Sequence, residues 1–152
     1  MTRNVFFATA GLVLLMAAPV SAQESVKKVI ATPNAPEAIG PYSQAIRAGK
    51  TVYLAGQIAI DPKTKQLMAS GSIEEQTRLV LENLKAVLEA DGLTMDHVVS
   101  TTVFLKDLNE FGKMNGVYGS YFKTAPPARA TVEVARLPLD AKVEIVAIAV
   151  RP

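Results

Sequence analysis

Eight residues near the end of the chain, Val143-Glu144-Ile145-Val146-Ala147-Ile148-Ala149-Val150, constrain the fold more than any other stretch. Apart from the one acid, they are apolar at both alternating sets of positions. A strand with one wet face alternates apolar with polar residues, so this run reads as a strand buried on both sides. Val98, Val99, Val103, Phe104 and Leu105 lean the same way. Only two segments carry helical periodicity, and two helices cover one face of a sheet. The other face then requires a partner, and a second copy of the same chain is the simplest one. A monomer with a partly open apolar face is the alternative, and solubility works against it.

The remaining elements follow from period and punctuation. Lys27 to Ala31 is a short β-prone segment, and Pro33, Pro36, Gly40 and Pro41 punctuate an irregular loop. Ala45 to Arg47 and Thr51 to Ile58 read as strands turning at Ala48-Gly49-Lys50. Ser72 and Glu75 form a capping box ahead of Ile73, Val80, Leu81, Leu84, Val87 and Leu88, which recur at helical spacing up to a stop at Gly92. A strand over Val98 to Leu105 precedes a second helix over about Leu108 to Phe122. Two strands, Ala130 to Ala135 and Lys142 to Val150, close the chain. The order βββαβαββ is an α+β layout in a single domain.

The N-terminus has a different character. Arg3, an apolar run from Val5 to Ala18, and Val20-Ser21-Ala22 before Gln23 have the layout of a secretory signal peptide. The apolar run is short for a membrane span, with an uncleaved anchor as the alternative. The expectation is a signal over residues 1–22, a domain over residues 23–152, and a periplasmic or secreted destination without stable membrane association after cleavage. Arg3 is the only charged residue that cleavage would remove, so the net charge falls from +2 to +1. A nearly neutral body argues against a general nucleic-acid surface. The absence of cysteine excludes disulfides, thiolate nucleophiles and zinc–thiolate sites.

Few residues remain to carry chemistry. In Thr124-Ala125-Pro126-Pro127-Ala128-Arg129 a stiff double-proline loop delivers one arginine to the start of a strand. The planar donor fork of arginine suits a carboxylate or phosphate, so Arg129 is a candidate anion clamp, or else an ordinary surface ion-pair partner. Glu144 is the one acid of the apolar final strand, where a carboxylate is costly without a partner or a task. It is either functional or paired with a cation at the sheet rim. If the last two strands pair as a hairpin, Arg129 and Glu144 lie near the same end. Tyr42 follows a backbone pinned by Pro41 and either faces a cleft or packs under the loop. Gly56 interrupts a strand, marking a bulge or a close approach. His97, the only histidine, reads as a solvated turn residue; a Ser-His-Asp triad is not expected.

Several segments together resemble one family. They are Gly40-Pro41-Tyr42-Ser43-Gln44-Ala45, Ala55-Gly56-Gln57-Ile58, Thr101 to Leu108, Pro127-Ala128-Arg129, Val132 to Pro138, and Val143-Glu144-Ile145 with Ala147 to Val150. Their sequence and order resemble the reactive intermediate deaminase family, RidA or YjgF-like, from about Ile30 to Arg151. The resemblance implies a chorismate-mutase-like fold assembled as a homotrimer, with a central barrel of sheets, two helices per chain outside, and ligand clefts between subunits. It implies hydrolysis of small imines and enamines, such as 2-aminoacrylate, 2-iminopropanoate and 2-iminobutanoate, to 2-keto acids and ammonia, with no metal or organic cofactor.

By the same resemblance, Arg129 clamps the substrate carboxylate, Glu144 positions or activates water, and Tyr42, Gly56 and Asn115 match further site positions. Thr131 stands where many cytosolic relatives carry cysteine, and the segment between Tyr121 and Arg129 is a few residues shorter than in some relatives. Export would bring the protein different imines from those of the cytosol. Two other roles stay open: a trimeric module that binds small carboxylates without turnover, and a protein-binding holdase.

Overall fold

In a computed structural model of the chain, residues 27–152 are described. The signal-peptide expectation for residues 1–22 therefore lies outside the described residues. The strands are β1 (Lys28–Ile30), β2 (Ala45–Ala48), β3 (Thr51–Gln57), β4 (Val98–Leu105), β5 (Ala128–Glu133) and β6 (Val143–Val150). The helices are α1 (Ile73–Glu89) and α2 (Phe111–Tyr121). This is the order expected from sequence. The second helix starts later than its periodicity suggests, because Leu108–Glu110 forms a separate 3-10 turn capped by the Asp107 side chain.

All six strands join one mixed sheet in the order β1-β2-β3-β6-β4-β5. The two-sided apolar strand β6 occupies an interior place, between β3 and β4. The expected terminal hairpin does not form. β5 pairs in parallel with β4, and β4 separates it from β6. A parallel pair needs a crossover, and α2 supplies it between β4 and β5.

Helix α1 begins as its capping box dictates. Glu75 N donates to Ser72 Oγ over 3.2 Å, and Ser72 N donates to Glu75 Oε2 over 2.7 Å. It ends at Glu89, and the chain turns away at Gly92, whose φ of 71° is a left-handed conformation that favours glycine. Its apolar stripe (Ile73, Val80, Leu81, Leu84, Val87 and Leu88) is fully buried. With Met114, Val117 and Tyr118 of α2, it covers Val143, Ile145, Ala147 and Ala149 of β6 and their neighbours.

Among the described residues no helix or strand covers the opposite face of the sheet; Ile58, Ile60, Leu137 and Ala141 gather against Phe104 at one end of it. Alternation with the buried set places Tyr53, Phe104, Val132, Val146, Ile148 and Val150 on that face. Tyr53, Val132 and Val150 are 51, 43 and 39 % exposed. An apolar sheet face of this extent is what a subunit interface requires.

Candidate functional site

Among the described residues Glu144 is the only charged strand residue on the open face of the sheet, because it alternates with the buried positions of β6. Its neighbour in space is Gly56, at the point where the β3–β6 register shifts between Leu54 and Gln57. A Cβ at position 56 would stand 2.9 Å from Glu144 Cδ and 3.1 Å from Cγ, closer than side-chain packing allows. Gly56 is therefore both the bulge and the close approach that sequence left as alternatives. The carboxyl lies over its backbone.

Among the described residues, Glu144 has no cation within salt-bridge distance, so the rim ion pair is not the arrangement. It is half-buried, and burial pushes its carboxyl above the usual carboxylate range.

Tyr42 stands on the other side of the same cleft. Its backbone N donates to Gly40 O over 2.8 Å, and its hydroxyl accepts from Ile39 N over 3.2 Å. The half-exposed phenol is thus folded onto its own loop beside the opening. The loop is tied down by Gln44, a residue that sequence reasoning passed over. Gln44 is buried; its Nε2 donates to the carbonyls of Thr32, Ala35 and Pro36, and its Oε1 accepts from Thr32 N. Together Tyr42, Gly56 and Glu144 line a cleft of about 330 Å³, walled by Pro36, Ile39, Ile58, Ile60 and Pro138. Its wall is mostly apolar, so the cleft suits a small molecule with little polar surface beyond its reactive end.

Arg129 lies elsewhere. It pairs in register with Thr101, whereas Glu144 pairs with Phe104, and three residues along β4 reverse the face. Arg129 therefore projects on the helix side of the sheet, at the β5 edge. There its guanidinium carbon lies 4.4 Å from the ring centroid of Tyr118 and 5.6 Å from that of Phe111. No carboxylate comes within salt-bridge distance of it among the described residues. Arg129 and Asn115 share a second cleft of about 390 Å³ with Tyr118, Phe122 and Pro126. Thr131, two residues on and on the same face, has a buried hydroxyl without a hydrogen-bond partner.

The candidate residues thus sort into two groups. Tyr42, Gly56 and Glu144 form one, and Arg129, Asn115 and Thr131 the other. Within one chain the sheet stands between them. This corrects the expectation that Arg129 and Glu144 share one end of a hairpin. Tyr118 and Phe111 were also missed as neighbours of Arg129, because both read as the apolar side of a helix. His97 is a turn residue, as expected, and closes its own turn: its Nδ1 accepts from Thr94 N over 3.0 Å.

Residues 32–151 match the family model described as Endoribonuclease L-PSP. The chain belongs to this family, which includes the RidA and YjgF-like proteins. A RutC family protein of Pyrococcus horikoshii is 57 % identical over 82 % of this chain and 98 % of its own length. The 2-iminobutanoate/2-iminopropanoate deaminase of Salmonella typhimurium is 50 % identical over 83 % of this chain and 99 % of its own. The crystal structure of the YjgF gene product of Escherichia coli superposes with a TM-score of 0.78, at 50 % identity, over 82 % of this chain and 99 % of that one. The resemblance read from the Gly-Pro-Tyr, Pro-Ala-Arg and final-strand segments is thereby established, together with the single domain of two helices on a mixed six-stranded sheet.

Proposed function

We propose that this member of the family hydrolyses small 2-imino acids to 2-oxo acids and ammonia, acting as a homotrimer whose sites lie between subunits. The observation that carries the proposal is the division of the candidate residues. A cation clamp stands on one side of the sheet and an unpaired carboxyl on the other, and the open face between subunits is apolar. A site that uses both groups would take Glu144 from one chain and Arg129, at the β5 edge, from its neighbour.

The chemistry asks little of the protein. An imine carbon is already electrophilic, so placing substrate beside water supplies much of the rate. Arg129 would hold the carboxylate in a bidentate pair, with Asn115 and the unpartnered Thr131 hydroxyl beside it. Glu144 would take a proton from the attacking water as the C–O bond forms and pass it to the imine nitrogen, giving a carbinolamine. It would then move the carbinol O–H proton to the amine as the C–N bond breaks, so that ammonia leaves and the carbinol oxygen becomes the ketone of the 2-oxo acid. Tyr42 would close the cleft at the reacting end.

The test generates 2-iminopropanoate or 2-iminobutanoate enzymatically and follows its loss. Arg129→Ala should cost about 1.5–3 kcal/mol of transition-state binding, roughly ten- to hundredfold in kcat/KM. Glu144→Gln should reduce kcat while leaving carboxylate binding in place. If Arg129→Ala hydrolyses the imine as fast as wild type, the proposal fails. If Arg129 governs carboxylate binding but the wild-type protein does not accelerate loss of the imine, the protein is a carboxylate-binding module rather than this hydrolase; full turnover in Glu144→Gln would remove Glu144 from the chemistry.

A further inference from the structure

An arginine poised to bind an anion has two competing needs. Its long side chain must be held in one place, which costs rotamer freedom, and its donors must stay unoccupied. Arg47, Arg136 and Arg151 are each held by a carboxylate, Asp91 or Asp140, which occupies donors and cancels charge. Arg129 is held differently. Its guanidinium lies over the Tyr118 ring, 4.4 Å from the centroid, with Phe111 at 5.6 Å. A ring face attracts the cation without accepting its in-plane N–H groups.

Tyr118 is itself held on several sides. It is 5 % exposed, and its ring packs at a tilt of 39° against Phe122 with centroids 4.6 Å apart. Its hydroxyl shares a 2.7 Å hydrogen bond with Thr101 Oγ1. Thr101 is the register partner of Arg129 on the adjacent strand. The phenol is therefore fixed by the residue that sits opposite the arginine it supports.

We infer that Tyr118 is the positioning residue of the Arg129 clamp: a ring locked by Thr101 and Phe122 holds the guanidinium, and with no carboxylate on Arg129 among the described residues its fork remains available to a planar carboxylate. The inference rests on the functional reading above and names what makes its anion site selective. A lysine could not use this support in the same way, since its ammonium has no planar fork. A carboxylate in place of the ring would hold Arg129 as firmly but would close the site.

The experiment uses the full-length protein and 2-oxobutanoate, a non-reacting carboxylate of the product class, with binding followed by calorimetry. Position 118 carries tyrosine, phenylalanine, leucine, or phenylalanine with one, two or three ring fluorines. Ring fluorination weakens the attraction for a cation stepwise while preserving shape. Tyr118→Leu should weaken binding about three- to thirtyfold, the range a partly desolvated cation–ring contact supports. Tyr118→Phe should retain most of the affinity, and the fluorinated rings should lose it in order of fluorine content. Equal affinity across the fluorinated set would overturn the inference, even if Tyr118→Leu unfolds. Arg129→Ala separates the two claims. If it leaves affinity unchanged, or wild type does not bind, the clamp itself is wrong and the inference falls with it. If only Arg129→Ala weakens binding, the clamp stands and Tyr118 is not its support.

Discussion

Arg129 and Glu144 project from opposite faces of one sheet, with strand β4 between their strands. No side-chain rearrangement within a chain joins them, because the barrier is the backbone of the sheet. Any reaction that needs both must use two chains.

Subunit complementation tests that consequence directly. Arg129→Ala and Glu144→Gln chains, each strongly impaired alone, should recover activity when unfolded together and reassembled. An intact site needs its arginine from one chain type and its glutamate from the other, so random mixing leaves about a quarter of the sites whole. Recovery near that fraction is the expected outcome of the imine assay. Complete lack of recovery in verified mixed oligomers would place both residues of each site in one chain, or in no common site.

Gly56→Ala should disable the Glu144 side without unfolding the protein. The added methyl meets the Glu144 side chain, which must swing away from the position it now holds over the bulge. Crowding of this order costs about 1–3 kcal/mol when neither group yields, and less when the carboxyl moves. Turnover should fall at least about tenfold, with a melting temperature within a few degrees of wild type. In a Glu144→Gln background the substitution should add little further loss, because both changes act on one group.

Much of this architecture was legible in the sequence, and the exceptions have physical causes. Helix α1 announced itself through Ser72, Glu75 and an apolar stripe, all local signals. The interior place of β6 followed from its lack of polar alternation. The partner of β5 did not follow from residues 128–133, since strand composition is silent on which neighbour is chosen. The spacing of β4, α2 and β5 as a strand–helix–strand unit held the answer, because a helical crossover favours a parallel pair. Glu144 and Arg129 stood out as charges in unusual company. Tyr118 did not, because the helical period that buries its ring says nothing of the arginine arriving from β5. Gln44 was equally silent, as its hydrogen bonds go to the backbone of an irregular loop.

Gln44→Leu should loosen that loop. It would strand the backbone groups of Thr32, Ala35 and Pro36 that one amide now satisfies. Unpaired buried groups cost about 1–3 kcal/mol each when water cannot reach them, and partial exposure here limits the total to about 2–3 kcal/mol. Urea denaturation should show a loss of that size, and limited proteolysis should cut faster within residues 32–42. Because Tyr42 lies two residues away, KM for the imine should rise as well. An unchanged urea midpoint would mean that the loop is held by other contacts.

Stability should depend on pH through Glu144 in a direction opposite to most carboxylates. Burial raises its carboxyl above the ordinary value of 4.5, so the folded chain holds this proton more tightly than the unfolded chain. The stabilising contribution of the protonated form is complete below the unfolded value and is lost as pH rises through the raised folded value. Glutamine at this position resembles the protonated acid at every pH. Glu144→Gln should therefore melt at a higher temperature than wild type at pH 7, and the gap should close as pH approaches 4. Thermal melts of both proteins across that interval, at equal subunit concentration, measure the gap. If wild type instead gains on the variant as pH rises, the ionised carboxylate has a stabilising partner in the assembled protein, and its role as an unpaired proton carrier is excluded.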